Sequence, residues 1–484
     1  MKKLEKGPLT AKMMQSSLRR SSIRCLMTKR SMVIGSQNSF EGMADTILKT
    51  SSRVDSATIV PKEKGIQVNW LDGRAIIFNG TWLRVNCSSN IHFSGQKIKF
   101  SGDFLDATPS EVSVSDDSRS ISVHWTDGHA SEFESKWLRL YDNSASSMIT
   151  RTQGSWQTAL RSWEAIPTVS FSKFMDSDEG VYELLRNVNN SGICVLKGCG
   201  DELGSVKSIA KRISPTSHTM LYGDMFNVIT EEKPVNIAYT NERLRLHQDL
   251  VYYESPPGLQ LLHCIKFGDD VEGGESLYMD IMEAALQFGK KFPDEFKVLT
   301  SIPATFQKNR NFAKDDIDPK KPAPMSPDGK SIDLEPMPKD GYGITANETA
   351  TLACYMTYHR PHIQLDKDDD ITAVFWAPMF EGVLYAPNKA LRQYYKAYSK
   401  FQMFIESGEF ASEYTLKRKM RVGECVVFNN RRMVHGREEI RGNGVRHLQG
   451  CYTNIDDSLS RYITLQNKQG KDDGQPSNVK RWGN

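Results

Sequence analysis

One pattern occurs twice and constrains the first third of this chain more than any other feature. Ile66-x-Val68-x-Trp70-x-Asp72-Gly73, then Phe78, then Trp82-Leu83-Arg84, returns 55 residues later. The second copy reads Ile121-x-Val123-x-Trp125-x-Asp127-Gly128, then Phe133, then Trp137-Leu138-Arg139. Apolar residues at every second position put one face of a strand into a core, and Asp-Gly reverses the chain in a tight turn. Each copy therefore predicts a β-hairpin. The pair predicts a small β-rich domain over residues 51–142 with the aromatic residues in its core. Within it Cys87, His92 and His129 are candidate zinc ligands, one short of the four a structural site normally takes. A metal-free surface loop is the alternative.

The 484 residues leave room for a larger second domain, and 25% charged with 39% hydrophobic residues is an ordinary globular composition. Residues 1–33 carry nine Lys/Arg against Glu5 alone, interleaved with serines. That is the composition of a mitochondrial transit peptide, so residues 1–50 are read as a targeting or disordered segment and the protein as mitochondrial. A basic tail on a cytoplasmic protein is the alternative. The net charge of +3 is partly N-terminal and gives no basis for a nucleic-acid partner. No apolar run reaches the roughly 18 residues of a membrane span. The eight cysteines are scattered, several in apolar strand-like runs, and read as buried free thiols.

Residues 143–164 read as a linker and 165–465 as a mixed, β-rich catalytic region. Asp176–Asn189 and Glu202–Ile213 have the pattern of helices flanking a strand over Gly192–Leu196. His263 sits in the apolar strand Gly258–Lys266 and reads as a core histidine. Residues 308–345 suggest an excursion over the surface, and Asp366–Asp370 a solvated turn. Lys389–Ser407 has helical spacing with Leu391, Tyr394, Tyr395, Tyr398, Phe401, Phe404 and Ile405 on a buried face. Residues 466–484 read as a disordered tail.

Chemistry enters at Leu246-His-Gln-Asp-Leu250. On an extended strand His247 and Asp249 point to the same face, so an imidazole nitrogen and a carboxylate oxygen stand side by side. Alone the triplet is common. Further on, a short apolar strand (425–428) delivers His435 beside Gly436, and Arg446 follows eleven residues later. Two histidines and a carboxylate with open positions are the ligand set of non-haem Fe(II) oxygenases. An arginine at the same end of a barrel can fork onto a carboxylate, which implies a dicarboxylate co-substrate beside the iron.

With these residues in place, the chain resembles the γ-butyrobetaine dioxygenase and trimethyllysine dioxygenase family of 2-oxoglutarate-dependent oxygenases. The resemblance covers about residues 60–465. It is carried by Trp82-Leu-Arg-Val-Asn-Cys87, Asn236-Ile-Ala-Tyr239, His247-x-Asp249 with Pro257-Gly258, Leu261-Leu-His-Cys264, Gly273-Gly274, His435-Gly-Arg437 and Arg446-His-Leu-Gln-Gly-Cys-Tyr452. It implies a β-rich α+β fold: a double-stranded β-helix (jelly-roll) catalytic domain preceded by a small N-terminal β domain. It implies Fe(II) on His247, Asp249 and His435, 2-oxoglutarate on Arg446 with Ser276, O2 as co-substrate, and ascorbate as a further candidate. Tyr222, Tyr239, Tyr452, Phe226 and Asn236 would bind the substrate, the tyrosines by cation–π attraction.

The implied activity is hydroxylation of a small trimethylammonium compound, γ-butyrobetaine to carnitine first, with trimethyllysine or another betaine as the alternative. A homodimer is a candidate assembly. Rival readings are an inactive oxygenase-fold binding module and a zinc hydrolase on the same ligands. The chain departs from the family in three places. Cys87-x-Ser89-x-x-His92 replaces a Cys-x-Cys-x-x-Cys zinc run. Phe226 and Leu250 replace larger or aromatic cage residues. Phe375-Trp-Ala-Pro378 replaces an Asn-Asn pair near the substrate carboxylate. These changes predict a looser cage and a weaker hold on a short substrate's carboxylate.

Overall fold

The computed structural model describes residues 53–92, 96–99, 101–104, 107–141, 159–217, 219, 222–231, 236–310, 354–367 and 369–470. The expected targeting segment, most of the linker, most of the 308–345 excursion and the end of the tail lie outside them. The chain divides into two compact units, residues 1–144 and 145–484. Among the described residues no helix is long and apolar enough to cross a membrane.

In the first unit each repeat is larger than a hairpin. Val54–Val60, Gly65–Trp70 and Ala75–Asn79 form one antiparallel sheet, and Pro109–Val114, Ser120–Trp125 and Ala130–Glu134 form its counterpart. The Asp-Gly turns close as expected, with Gly73 and Gly128 at φ +82° and +79°. Trp82-Leu-Arg84 and Trp137-Leu-Arg139 do not continue a strand. They lie on one-and-a-half-turn helices, Gly80–Val85 and Ser135–Leu140. The copies are tied reciprocally: Arg84 pairs with Asp127 at 3.0 Å and Arg139 with Asp72 at 2.7 Å. Each arginine thus reaches the turn of the other copy. Ile66, Val68, Phe78 and Leu83 share one core with Ile121, Val123, Phe133 and Leu138.

The second unit is built on two sheets. The larger runs Thr168–Ser170, Ile193–Lys197, Glu424–Asn429, Leu259–Phe267, Arg446–Thr453, Phe226–Val228, antiparallel except for its first pair. The smaller runs Leu244–His247, Met433–Arg437, Ser276–Asp280, Leu416–Arg418, all antiparallel. The chain alternates between them: Leu244–His247 small, Leu259–Phe267 large, Ser276–Asp280 small. It alternates again through Glu424–Asn429, Met433–Arg437 and Arg446–Thr453. That winding is the double-stranded β-helix.

Period-two alternation divides the strands between cores. Val195, Leu262, Tyr278, Val426, Phe428 and Leu448 pack between the sheets. Cys194, Leu196, Leu261, Cys425, Val427 and Cys451 face the other way, under helices Asp178–Ser191, Ser205–Ile213 and Ile455–Lys468. Leu277, Met279 and Val434 carry helices Ile281–Lys291 and Asn388–Glu406 on the small sheet. Strands covered on both faces read as continuous apolar runs, which is why Ile193–Leu196 is buried throughout.

Several details differ from expectation. Ser177 caps its helix by accepting from the Gly180 amide at 3.0 Å, so the helix starts at Asp178. The next helix begins only at Ser205. Residues 304–310 form a strand paired with 354–360, not the start of an excursion. Tyr395 is exposed, on the solvent side of its helix. The last helix runs to Lys468 and buries Gln466, where the pattern predicts a tail. Cys87, Cys194, Cys199, Cys264, Cys425 and Cys451 are free and buried. His263 is fully buried and hydrogen-bonds the Gly200 carbonyl at 2.9 Å through Nε2.

Candidate active site

The strand carrying His247 ends there, and Asp249 is delivered by a turn. Leu250 lies at φ +56°, which bends the chain away from an extended path. Two residues hold the turn. Gln248 donates its amide to the Trp376 carbonyl at 2.8 Å and accepts the Trp376 amide at 2.9 Å. Asn430 accepts the Asp249 amide at 2.9 Å and donates to the Asp249 carbonyl at 3.0 Å. His247 and Asp249 converge all the same, with Nε2 and Oδ1 3.3 Å apart.

His435 arrives on the neighbouring strand directly opposite His247. Its Nε2 lies 3.9 Å from Asp249 Oδ2. The three ligand atoms fall within 4.8 Å of one another, the one such cluster of metal-binding side chains among the described residues. His247 Nδ1–H donates to the Arg245 carbonyl at 2.8 Å, leaving the Nε2 lone pair directed at the cluster. Burial works against the Asp249 carboxylate, but His435, His247 and the Tyr452 hydroxyl hold it well below the usual carboxylate range. His435 is pushed down to about 3, first by burial and then by His247. A divalent metal requires an ionised carboxylate and unprotonated ligand nitrogens, and the lowering of Asp249 and His435 favours that state. The residues fit Fe(II).

A cavity opens on this cluster. Tyr222, Phe226, Asn236, Tyr239, Ser276, Arg446 and Tyr452 all line it together with the triad. Phe226 stacks on Tyr452 with ring centres 5.1 Å apart and meets Tyr222 at 5.8 Å. Asn236 donates to the Tyr222 hydroxyl at 2.6 Å. At the other end Arg446 is buried, donates to Ser276 Oγ at 3.3 Å and has no acid partner among the described residues. Burial lowers Arg446 to about 10, so it remains charged at neutral pH. A buried, unpaired guanidinium in a cavity suits an anionic ligand. Tyr278, whose buried hydroxyl has no partner among the described residues, lines the same end.

Some expectations need correction. His92 is exposed, on a turn closed by its own amide to the Gln96 carbonyl, and does not join Cys87 and His129. Cys87 Sγ, Ser89 Oγ and His129 Nε2 instead lie 2.9–3.5 Å apart and hydrogen-bond one another. Three zinc ligands are not assembled there. Leu250 is buried in the core between the sheets and does not line the cavity. Phe375–Pro378 does not line it either: Trp376 is fully buried against Tyr398 and Phe401. Neither position therefore shapes the pocket by direct contact.

Asp249 has further partners, of which Gln260 and Asn430 carry little signal in the sequence. Gln260 Nε2 and the Tyr452 hydroxyl both donate to Asp249 Oδ2, each at 2.8 Å. A lone glutamine inside the apolar strand Leu259–Phe267 was the available signal for the first. For Asn430 the Asn429-Asn430 pair, polar at the end of an apolar strand, was a weaker one.

Comparison with known proteins agrees with this geometry. The taurine catabolism dioxygenase TauD, TfdA family matches residues 155–452, more than half the chain. The chain is 28% identical over 412 residues to the γ-butyrobetaine dioxygenase of Pseudomonas sp. (strain AK-1), covering 83% of this chain and 94% of that one. It is 27% identical over 437 residues to the Homo sapiens γ-butyrobetaine dioxygenase, covering 88% and 99%. It is 25% identical over 415 residues to the mitochondrial trimethyllysine dioxygenase of Mus musculus, covering 85% and 88%. The chain belongs to the taurine catabolism dioxygenase TauD/TfdA family and is an iron- and 2-oxoglutarate-dependent dioxygenase.

Proposed function

We propose that this dioxygenase hydroxylates a small substrate bearing a trimethylammonium group, with γ-butyrobetaine as the first candidate. The observation that carries the reading is the aromatic wall of the cavity: Tyr222, Phe226, Tyr239 and Tyr452 stand beside the triad. A trimethylammonium has no N–H to donate, so ring faces recognise it where hydrogen bonds cannot, at about 0.5–2 kcal/mol per ring. Relatives named for γ-butyrobetaine and for trimethyllysine support the class. Trimethyllysine is the second reading, since the same wall suits either cationic end.

In this reading His247, Asp249 and His435 hold Fe(II), and Arg446 with Ser276 holds the far carboxylate of 2-oxoglutarate. Bound together, those two groups supply the oxidation of an unactivated C–H bond by O2, with succinate and CO2 as co-products. The chain contributes ligation, orientation and exclusion of water. Tyr452 acts twice: its ring is part of the wall and its hydroxyl holds Asp249 in place. The cationic end docks against the wall, so the distance from wall to triad selects the carbon that is hydroxylated. The N-terminal composition and the mitochondrial relatives support import into mitochondria, and residues 1–50 fused to a fluorescent protein test it.

Incubation with Fe(II), 2-oxoglutarate and either γ-butyrobetaine or trimethyllysine tests the substrate. A mass gain of one oxygen on one of them, matched by succinate, is expected. Succinate that responds to neither compound contradicts the reading.

A further inference from the structure

The motif His435-Gly436-Arg437 puts a second guanidinium at the cavity, and its hydrogen bonds all go to one loop. Arg437 is 4% exposed. Its Nη1 donates to the Ala238 carbonyl at 3.1 Å, and its Nη2 donates to the carbonyls of Thr240 at 2.8 Å and Glu242 at 2.7 Å. These are alternate residues of the segment 236–242, which brings Asn236 and Tyr239 to the cavity wall. The backbone of Arg437 is fixed on both sides, opposite Leu244 and opposite Ser276, two residues from His435. Among the described residues no acid pairs with it, and Nε has no partner.

A buried cation without a counter-ion is costly to desolvate, and convergent carbonyl dipoles offset that only while the loop stays in place. A lysine keeps the charge but not the rigid fork that reaches three carbonyls at once.

We propose that Arg437 is a positioning residue: it clamps the 236–242 loop onto the strand that bears His435, and so sets how tightly the pocket holds the cationic end of the substrate. The proposal rests on the trimethylammonium reading above for its kinetic form, but not for its structural form. Each has its own readout.

The test compares wild type with R437K and R437Q. Hydrogen–deuterium exchange without ligands reads the clamp. Peptides covering 236–242 are expected to exchange faster in both variants, while peptides from Leu259–Phe267 stay protected. The KM for γ-butyrobetaine is expected to rise by about tenfold or more, with kcat changed by less than about threefold. The dissociation constant of 2-oxoglutarate on Fe(II)-loaded protein should shift by less than about threefold.

Unchanged exchange in R437K overturns the proposal. So does a weakening of 2-oxoglutarate as large as that of the amine. Should R437Q fail to fold, T240G loosens the same loop from its own side and is required to raise the amine KM in the same way; an unchanged KM counts against the proposal. If wild type turns over no trimethylammonium compound, the substrate reading falls, and the exchange result still decides whether the clamp exists.

Discussion

Tyr452 joins the aromatic wall of the cavity to the His247–Asp249–His435 cluster through one side chain. Its ring stacks on Phe226 and its hydroxyl donates to Asp249 Oδ2 at 2.8 Å. Tyr452→Phe keeps the ring and removes the donor, so Fe(II) affinity is expected to fall by about 10–100-fold while amine affinity changes little. Titrating Fe(II) against succinate formation measures the first, and amine KM the second. On the proposed role of Arg446, Arg446→Ala leaves the far carboxylate of 2-oxoglutarate unpaired in a buried site, a loss of roughly 3–5 kcal/mol. It should appear as a 2-oxoglutarate requirement raised by two or more orders of magnitude, with the amine requirement little changed. If the amine requirement moves instead, Arg446 holds the wrong ligand.

That His247, Asp249, His435, Arg446 and Tyr452 line one cavity was legible in the sequence, because few residue types suit iron or a carboxylate fork and their spacing narrows the choice further. Gln260, Asn430 and Gln248 were not legible. Asn430 meets Asp249 across 181 residues of sequence, and Gln248 meets Trp376 across 128. A polar side chain whose partner is that distant carries no local pattern.

At the scale of elements, close approaches decide the shape of the wall. A Cβ on Gly450 would stand 2.5 Å from Phe226 Cζ. Gly450→Ala should therefore displace Phe226 and raise the KM for the amine, with the 2-oxoglutarate KM nearly unchanged. Equal changes in both would mean a general disturbance of the strand. The Gln248–Trp376 link leads to helix Asn388–Glu406 through Tyr398, which stacks on Trp376 with ring centres 4.8 Å apart. Burial pushes Glu381 up to about 7, against a lowering hydrogen bond from Tyr398.

The unfolded carboxyl ionises near its ordinary value, so between there and about 7 the folded state binds more protons than the unfolded one. Stability from this group is therefore present at low pH and declines as pH rises through that window. Glu381→Gln should flatten the decline, raising the melting temperature relative to wild type more at pH 8 than at pH 5. An equal effect at both pH values would contradict the buried-carboxyl account. Here the sequence misled in one instructive way. His247-x-Asp249 has the pattern of a continuous strand, and the two side chains do converge as that pattern predicts. The backbone reaches it through a turn that Asn430 and Gln248 hold in place.

The whole molecule explains why ligands nearly 190 residues apart in sequence meet. The chain steps between two sheets strand by strand, so Leu244–His247 and Met433–Arg437 become neighbours. Their alternating residues place His247 and His435 on one side and Leu246 and Val434 in a helix-covered core on the other. The repeat was legible as strands because period two and Asp-Gly are local signals. The reciprocal pairs Arg84–Asp127 and Arg139–Asp72 were not, since they connect one copy to the other.

The central claim is that the aromatic wall recognises positive charge beside an iron site. Comparing γ-butyrobetaine with its neutral tert-butyl isostere, in the presence of Fe(II) and 2-oxoglutarate, tests it most directly. Shape is conserved and charge removed, so the isostere should bind more weakly by at least one cation–π contribution, roughly 1–2 kcal/mol or about 5–30-fold in KM. Equal KM values for the two compounds would show that the rings merely line an apolar pocket, and would contradict the account.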